Sequence, residues 1–120
     1  MYEKRRYVRL NIPLEVSYII RGREGKRYKS ITKNISPKGA ELVLEEELPK
    51  GTILDLAIKI PENEETVPIK AKVVWSKKDS EHKQGIYNAG FEFIEVGEKS
   101  KKIFFQYLCD LMYDQLKRYE

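Results

Sequence analysis

Between residues 14 and 96, apolar side chains recur at every second position in short runs, and this alternation constrains the fold more than any other feature of the chain. In LEVSYII (residues 14–20), Leu14, Val16, Tyr18 and Ile20 share one face and Glu15 and Ser17 the other. A side-chain period of two belongs to a β-strand buried on one side only. AELVLE repeats it with Ala40, Leu42 and Leu44, and TILDLAIKIP with Leu54, Leu56, Ile58 and Ile60. TVPIKAKVVW sets Val67, Ile69, Ala71, Val73 and Trp75 in phase, and IYNAGFEFIEV does so with Tyr87, Ala89, Phe91 and Phe93. YKSITKNI, leaving the Gly22/Gly25 turn of RGREGK, is the remaining strand. Six strands joined by short loops favour a closed or nearly closed antiparallel β-barrel, because closure removes unpaired edges.

From about Gly97 the period changes. Phe105, Leu108, Met112, Leu116 and Tyr119 follow one helical stripe, widened by Phe104, Tyr107 and Leu111. The fold expected is therefore mainly β, a six-stranded antiparallel barrel with a C-terminal α-helix of roughly 20 residues packed on it. The chain divides into a basic arm over residues 1–12, the barrel over 13–96 and the helix over 97–120, all within one domain. The apolar arc of the helix is wide enough for part of it to pair with a second copy, although core packing alone accounts for it.

The residues of catalysis are missing. A lone histidine, His82, sits in the charged loop KKDSEHKQG, and a lone cysteine, Cys109, lies among apolar helix positions. That inventory excludes an internal disulfide and the common zinc sites, and no Walker or GxGxxG phosphate loop appears. The expectation is a binding domain with no catalytic residue, metal or cofactor. No run approaches a membrane span of roughly 18 residues. The opening MYEKRRYVRL lacks the apolar stretch of a secretory signal, so a cytoplasmic location is expected.

Charge is distributed unevenly. Residues 1–39 hold 11 Lys or Arg against 3 acids, a net of +8, whereas residues 40–120 hold 12 against 16, a net of −4. Such a polarised chain suits an anionic partner. The basic segment KRRYVRL puts Arg5 and Arg9 four apart with Arg6 between them. A guanidinium fork can pair with phosphate, take the O6 and N7 acceptors of a guanine, or stack on a purine face. Further on, NISPKG (residues 34–39) reads equally as a chain reversal, with Pro37 fixing one dihedral and Gly39 able to take a positive φ, or as one wall of a site offering Asn34 and Ser36.

Taken together, Arg5-x-x-x-Arg9 followed by Asn34-x-Ser36-x-x-Gly39 resembles the PilZ domain family, the bacterial receptors for cyclic di-GMP. The resemblance covers nearly the whole chain and includes the strand count, VVW at residues 73–75, AGFEF at residues 89–93 and the terminal helix. It implies that Arg5 and Arg9 contact phosphate and guanine, that Arg6 adds a phosphate contact or stacks, and that Asn34 and Ser36 hydrogen-bond the guanine or its neighbours. Gly39 would let the ring approach the chain. Lys4, just before the first arginine, matches a basic position that the family associates with two stacked ligand molecules. Asn34 stands where the family more often has Asp, which implies a lower ligand affinity because an amide has a single accepting oxygen.

The expected mechanism is ordering of the arm over the barrel mouth by the dianionic ligand, which changes the surface offered to a downstream protein. Two alternatives belong to other classes. One is a small barrel that binds nucleic acid, disfavoured because the aromatics fall in phase with the core and leave no stacking platform. The other is a PilZ-like adaptor that has lost its ligand.

Overall fold

The alternating runs close on themselves. The computed structural model describes residues 9–23, 25–61, 65–79 and 85–117. Its strands are β1 (Glu15–Ile20), β2 (Tyr28–Ser36), β3 (Gly39–Leu44), β4 (Ile53–Ile60), β5 (Glu65–Lys78) and β6 (Tyr87–Val96). They form a closed antiparallel barrel in the order β1-β2-β3-β6-β5-β4, with β4 returning to β1. A 3-10 turn at Glu98–Ser100 leads into α1 (Lys101–Lys117). No helix of the described residues is long and apolar enough to cross a membrane.

The phases read from the sequence hold along most of the barrel. Val16, Leu42, Leu54, Ile58, Val67, Val73 and Ala89 all point inward and are essentially inaccessible. Full burial of one such aliphatic side chain stabilises the fold by about 1.5–3 kcal/mol. On β1 and β4 the pattern is unbroken, and their register runs without a shift from Val16↔Ile58 to Ile20↔Leu54.

Elsewhere the ladder slips, and Trp75 is the consequence. The β5–β6 register shifts between Val73 and Trp75, so the extra residue turns the indole away from the core. Trp75 is 36% exposed and Val74 40% exposed, contrary to the core position that counting by twos assigns to Trp75. The β2–β3 register likewise shifts between Thr32 and Asn34. Thr32 and Ile35, three residues apart, are consequently both buried.

The helix is only partly docked. Phe104 and Leu108 are fully buried, and Phe104 meets Phe93 edge-on with centroids 6.0 Å apart. The distal turns leave the barrel, with Tyr113 61% and Leu116 69% exposed, so the apolar stripe is longer than the surface that covers it.

Candidate ligand-binding face

The chain entering β1 is fixed to the far end of β2. Leu10 N–H donates to the Ile35 carbonyl at 2.8 Å, and Ile35 N–H donates back to the Leu10 carbonyl at 2.9 Å. The buried Thr32 hydroxyl donates to the Ile12 carbonyl at 2.6 Å and accepts from Leu14 N–H at 2.9 Å. Leu10 itself is 1% exposed. Because the Leu10↔Ile35 bridge is antiparallel, the residue before Leu10 runs alongside the residue after Ile35. Arg9, which is exposed, is therefore set beside Ser36. Of the arginines singled out in the sequence, this is the one the described residues include; Lys4, Arg5 and Arg6 lie outside them.

NISPKG forms the hairpin between β2 and β3. Ser36 pairs with Gly39 across Pro37 and Lys38. The Ser36 hydroxyl accepts from Lys38 N–H at 3.2 Å and lies 3.4 Å from the Gly39 carbonyl, to which it donates. The Lys38 carbonyl accepts from Phe93 N–H at 2.8 Å, which fastens the hairpin to β6. The need for glycine at position 39 is steric. Positive φ occurs at Gly22, Gly51 and Gly85 and not at Gly39, whereas a Cβ on Gly39 would overlap the Phe91 carbonyl oxygen.

Asn34 lies two pairing steps from Ser36, and the β2 bulge gives it Glu41 as its cross-strand partner. Its Nδ2 donates to Glu41 Oε1 at 3.1 Å, while Lys33 Nζ stands 3.8 Å from Glu41 Oε2. The Glu41 side chain is 17% exposed. Asn34 Oδ1 is buried and has no hydrogen-bond partner among the described residues. Ala40 and Leu42 on either side of Glu41 face the core, so Glu41 and Asn34 belong to the outer face of the barrel.

The same row continues across two more strands. Glu41 pairs with Gly90 on β6, and Gly90 with Trp75 on β5. A Cβ on Gly90 would fall inside the indole, 2.5 Å from Trp75 Cε2, so the glycine is what lets the ring lie over β6. The row Asn34–Glu41–Gly90–Trp75 spans three strand intervals, roughly 14 Å at about 4.8 Å each. It offers an acceptor at one end and an aromatic face at the other, with the hairpin and Arg9 along one side. Such a surface can hold a flat ring with hydrogen-bond donors on its edge and an anion beside it.

Sequence reasoning identified Asn34, Ser36, Gly39 and Arg9 here but missed Glu41, Gly90 and the outward Trp75. The signal for Trp75 was present as three consecutive apolar residues, 73–75, which cannot all obey a period of two. A groove of about 620 Å³ lies elsewhere, over the outer faces of β1, β2 and β4 next to Ser17, Ile31 and Ala57, and includes none of the motif residues.

A family model described as the PilZ domain matches residues 3–109. Among solved structures, the Bacillus subtilis inhibitor of motility MotI/DgrA superposes with a TM-score of 0.76 at 23% identity, covering 94% of this chain and 53% of that one. The PilZ domain of Escherichia coli YcgR, solved with c-di-GMP, gives a TM-score of 0.70 at 13% identity and covers 98% of both chains. The K. pneumonia MrkH–c-di-GMP complex gives 0.71 at 17% identity, covering 99% of this chain and 56% of that one. The chain thus spans about half the length of the MotI/DgrA and MrkH chains. Comparison with curated proteins gives no match.

Proposed function

This chain belongs to the PilZ domain family, and on that footing we propose that it is a receptor for cyclic di-GMP, a binding module rather than an enzyme. The observation that carries the reading is the pair of Leu10–Ile35 hydrogen bonds, which bring the end of one motif beside the middle of the other. YcgR and MrkH, whose solved structures contain c-di-GMP, share the fold.

In this reading Arg9 and Arg5 pair with phosphate and the guanine acceptors, and Arg6 adds a phosphate contact or stacks. Lys4 adds charge at the edge and would favour a second stacked ligand. Asn34 Oδ1 accepts from the guanine N–H edge, Ser36 and Lys38 N–H shape the hairpin beneath it, and Gly39 permits close approach. Trp75 offers its indole to a purine face. The dianion lets guanidinium groups that otherwise repel one another converge over this face. The output is the altered surface presented to a partner protein. The undocked end of α1, with Tyr113 and Leu116, is the surface we assign to that partner or to a second copy.

The exposed indole also favours a second reading, a barrel that binds single-stranded nucleic acid, since one platform exists after all. Calorimetry with cyclic di-GMP, and with a short oligonucleotide of equal charge at two salt concentrations, separates them. Saturable dinucleotide binding is expected, whereas steeply salt-dependent oligonucleotide binding in its place would overturn the proposal. A charge-assisted hydrogen bond contributes about 1.5–3 kcal/mol. Arg9→Ala should therefore weaken cyclic di-GMP binding roughly ten- to a hundredfold, and unchanged affinity would remove the arm from the mechanism.

A further inference from the structure

An asparagine amide is ambiguous to a ligand, because it presents an acceptor on one side and a donor on the other. In this chain the ambiguity is removed from within. Glu41 Oε1 lies 3.1 Å from Asn34 Nδ2, and a carboxylate only accepts hydrogen bonds. Turning the amide over would set two oxygens against each other at that separation, in a place where the contact is partly buried. Lys33 Nζ stands 3.8 Å from the other carboxylate oxygen, which leaves Oε1 to Asn34. The orientation of the amide is thus dictated by the chemistry of its neighbour. Its remaining acceptor, Asn34 Oδ1, is buried and has no partner among the described residues.

We infer that Glu41 is a positioning residue for ligand recognition. It captures the donating side of Asn34 and so fixes the accepting side toward the bound base. With one N–H of the amide engaged by Glu41, the acceptor that Asn34 keeps for a ligand is Oδ1, and Asn34 itself carries no net charge. Such a group discriminates in favour of a ring edge that carries adjacent N–H donors, as guanine does, over one that alternates donor and acceptor, as adenine does. The inference rests on the receptor reading above, and it reassigns a residue that the alternating pattern of β3 presents as a solvent-facing glutamate.

The test is a cycle of Asn34→Asp, Glu41→Gln and the double variant, read by cyclic di-GMP affinity and, without ligand, by the thermal unfolding midpoint. Glu41→Gln alone lets the amide turn over, and affinity should fall about threefold to tenfold. Asn34→Asp alone sets two carboxylates in contact, and should lower both the affinity and the unfolding midpoint. When Glu41→Gln is added to Asn34→Asp, the introduced amide can donate to the introduced carboxylate. The double variant should therefore regain affinity and midpoint relative to Asn34→Asp. The sign of the Glu41→Gln effect on affinity thus inverts between backgrounds, which a merely structural role for Glu41 would not produce. The same sign of affinity change in both backgrounds, or no change in either, overturns the assignment. If the wild-type chain binds no cyclic di-GMP, the receptor reading fails separately, and the unfolding cycle decides alone. Recovery of the Asn34→Asp midpoint on adding Glu41→Gln supports the contact, and its absence refutes it.

Discussion

The wall formed by β1 and β4 and the wall formed by β2, β3, β5 and β6 obey different rules. On the first, Val16, Tyr18, Ile20, Leu54, Leu56 and Ile58 alternate without a fault, and the β1–β4 and β4–β5 ladders run without a register shift. On the second, the ladder shifts at Thr32/Asn34, at Lys70/Ala71 and at Val73/Trp75. Among the described residues, the buried side-chain polar atoms without a partner, on Asn34, Ser76 and Asn88, all belong to β2, β5 and β6. A bulge redirects side chains that a perfect ladder would alternate, and an unsatisfied polar atom is tolerated where something else is to bind. Regularity on one side keeps the alternation intact, and the irregular side carries the face proposed for the ligand.

That division can be broken from either side. The largest effect expected is on the regular wall. Leu54 is wholly buried, so Leu54→Ala should cost about 2–5 kcal/mol in urea unfolding. Under folding conditions the same variant should bind cyclic di-GMP as the parent does, and a large affinity loss in the folded protein would show that the two walls are not separable.

On the irregular wall the expected signature is reversed. Gly90→Ala displaces the indole from β6, and since base stacking on an aromatic contributes about 1–3 kcal/mol, affinity should fall several-fold or more while stability changes less than for Leu54→Ala. Unchanged affinity would take Trp75 out of the site.

The smallest effect concerns pH. Tyr18 stacks on Tyr28 with centroids 5.1 Å apart. Burial, reinforced by the Glu46 carboxylate, pushes its phenol from an ordinary 10.0 up to about 12. The folded state therefore holds the proton more tightly than the unfolded chain does. The resulting stability is fully present below pH 10 and is lost as pH rises through about 12. Tyr18→Phe should flatten this alkaline decline without altering ligand affinity at neutral pH. An equally steep decline in the variant would place its origin elsewhere.

The same contrast decides what could be read from the sequence. Where the ladder is regular, counting by twos located the strands, their inward faces and hence the barrel. Past a bulge the count is wrong by one, which is how Trp75 was assigned to the core although its indole faces outward. Glu41 was invisible for a related reason. Its role depends on which residue of β2 it meets, and the shift between Thr32 and Asn34 sets that. The hexapeptide of residues 34–39 was legible because its turn chemistry is local, although its glycine answers a neighbouring strand's carbonyl and not a dihedral requirement. For α1 the stripe was legible but its docked length was not, because that depends on how much barrel surface is left to cover Leu116.

The bridge at Leu10 has one more consequence, for the reach of the arginines. Arg9 is a single residue from a fixed point, so its backbone is held beside the hairpin and its guanidinium ranges only as far as its own side chain extends. Arg5 is five residues from that point along the chain and Arg6 four. The arginines thus differ in their separation from the bridge along the chain, and extra residues inserted between Arg9 and Leu10 would lengthen all three separations at once, whereas the same insertion ahead of Lys4 would leave each as it is.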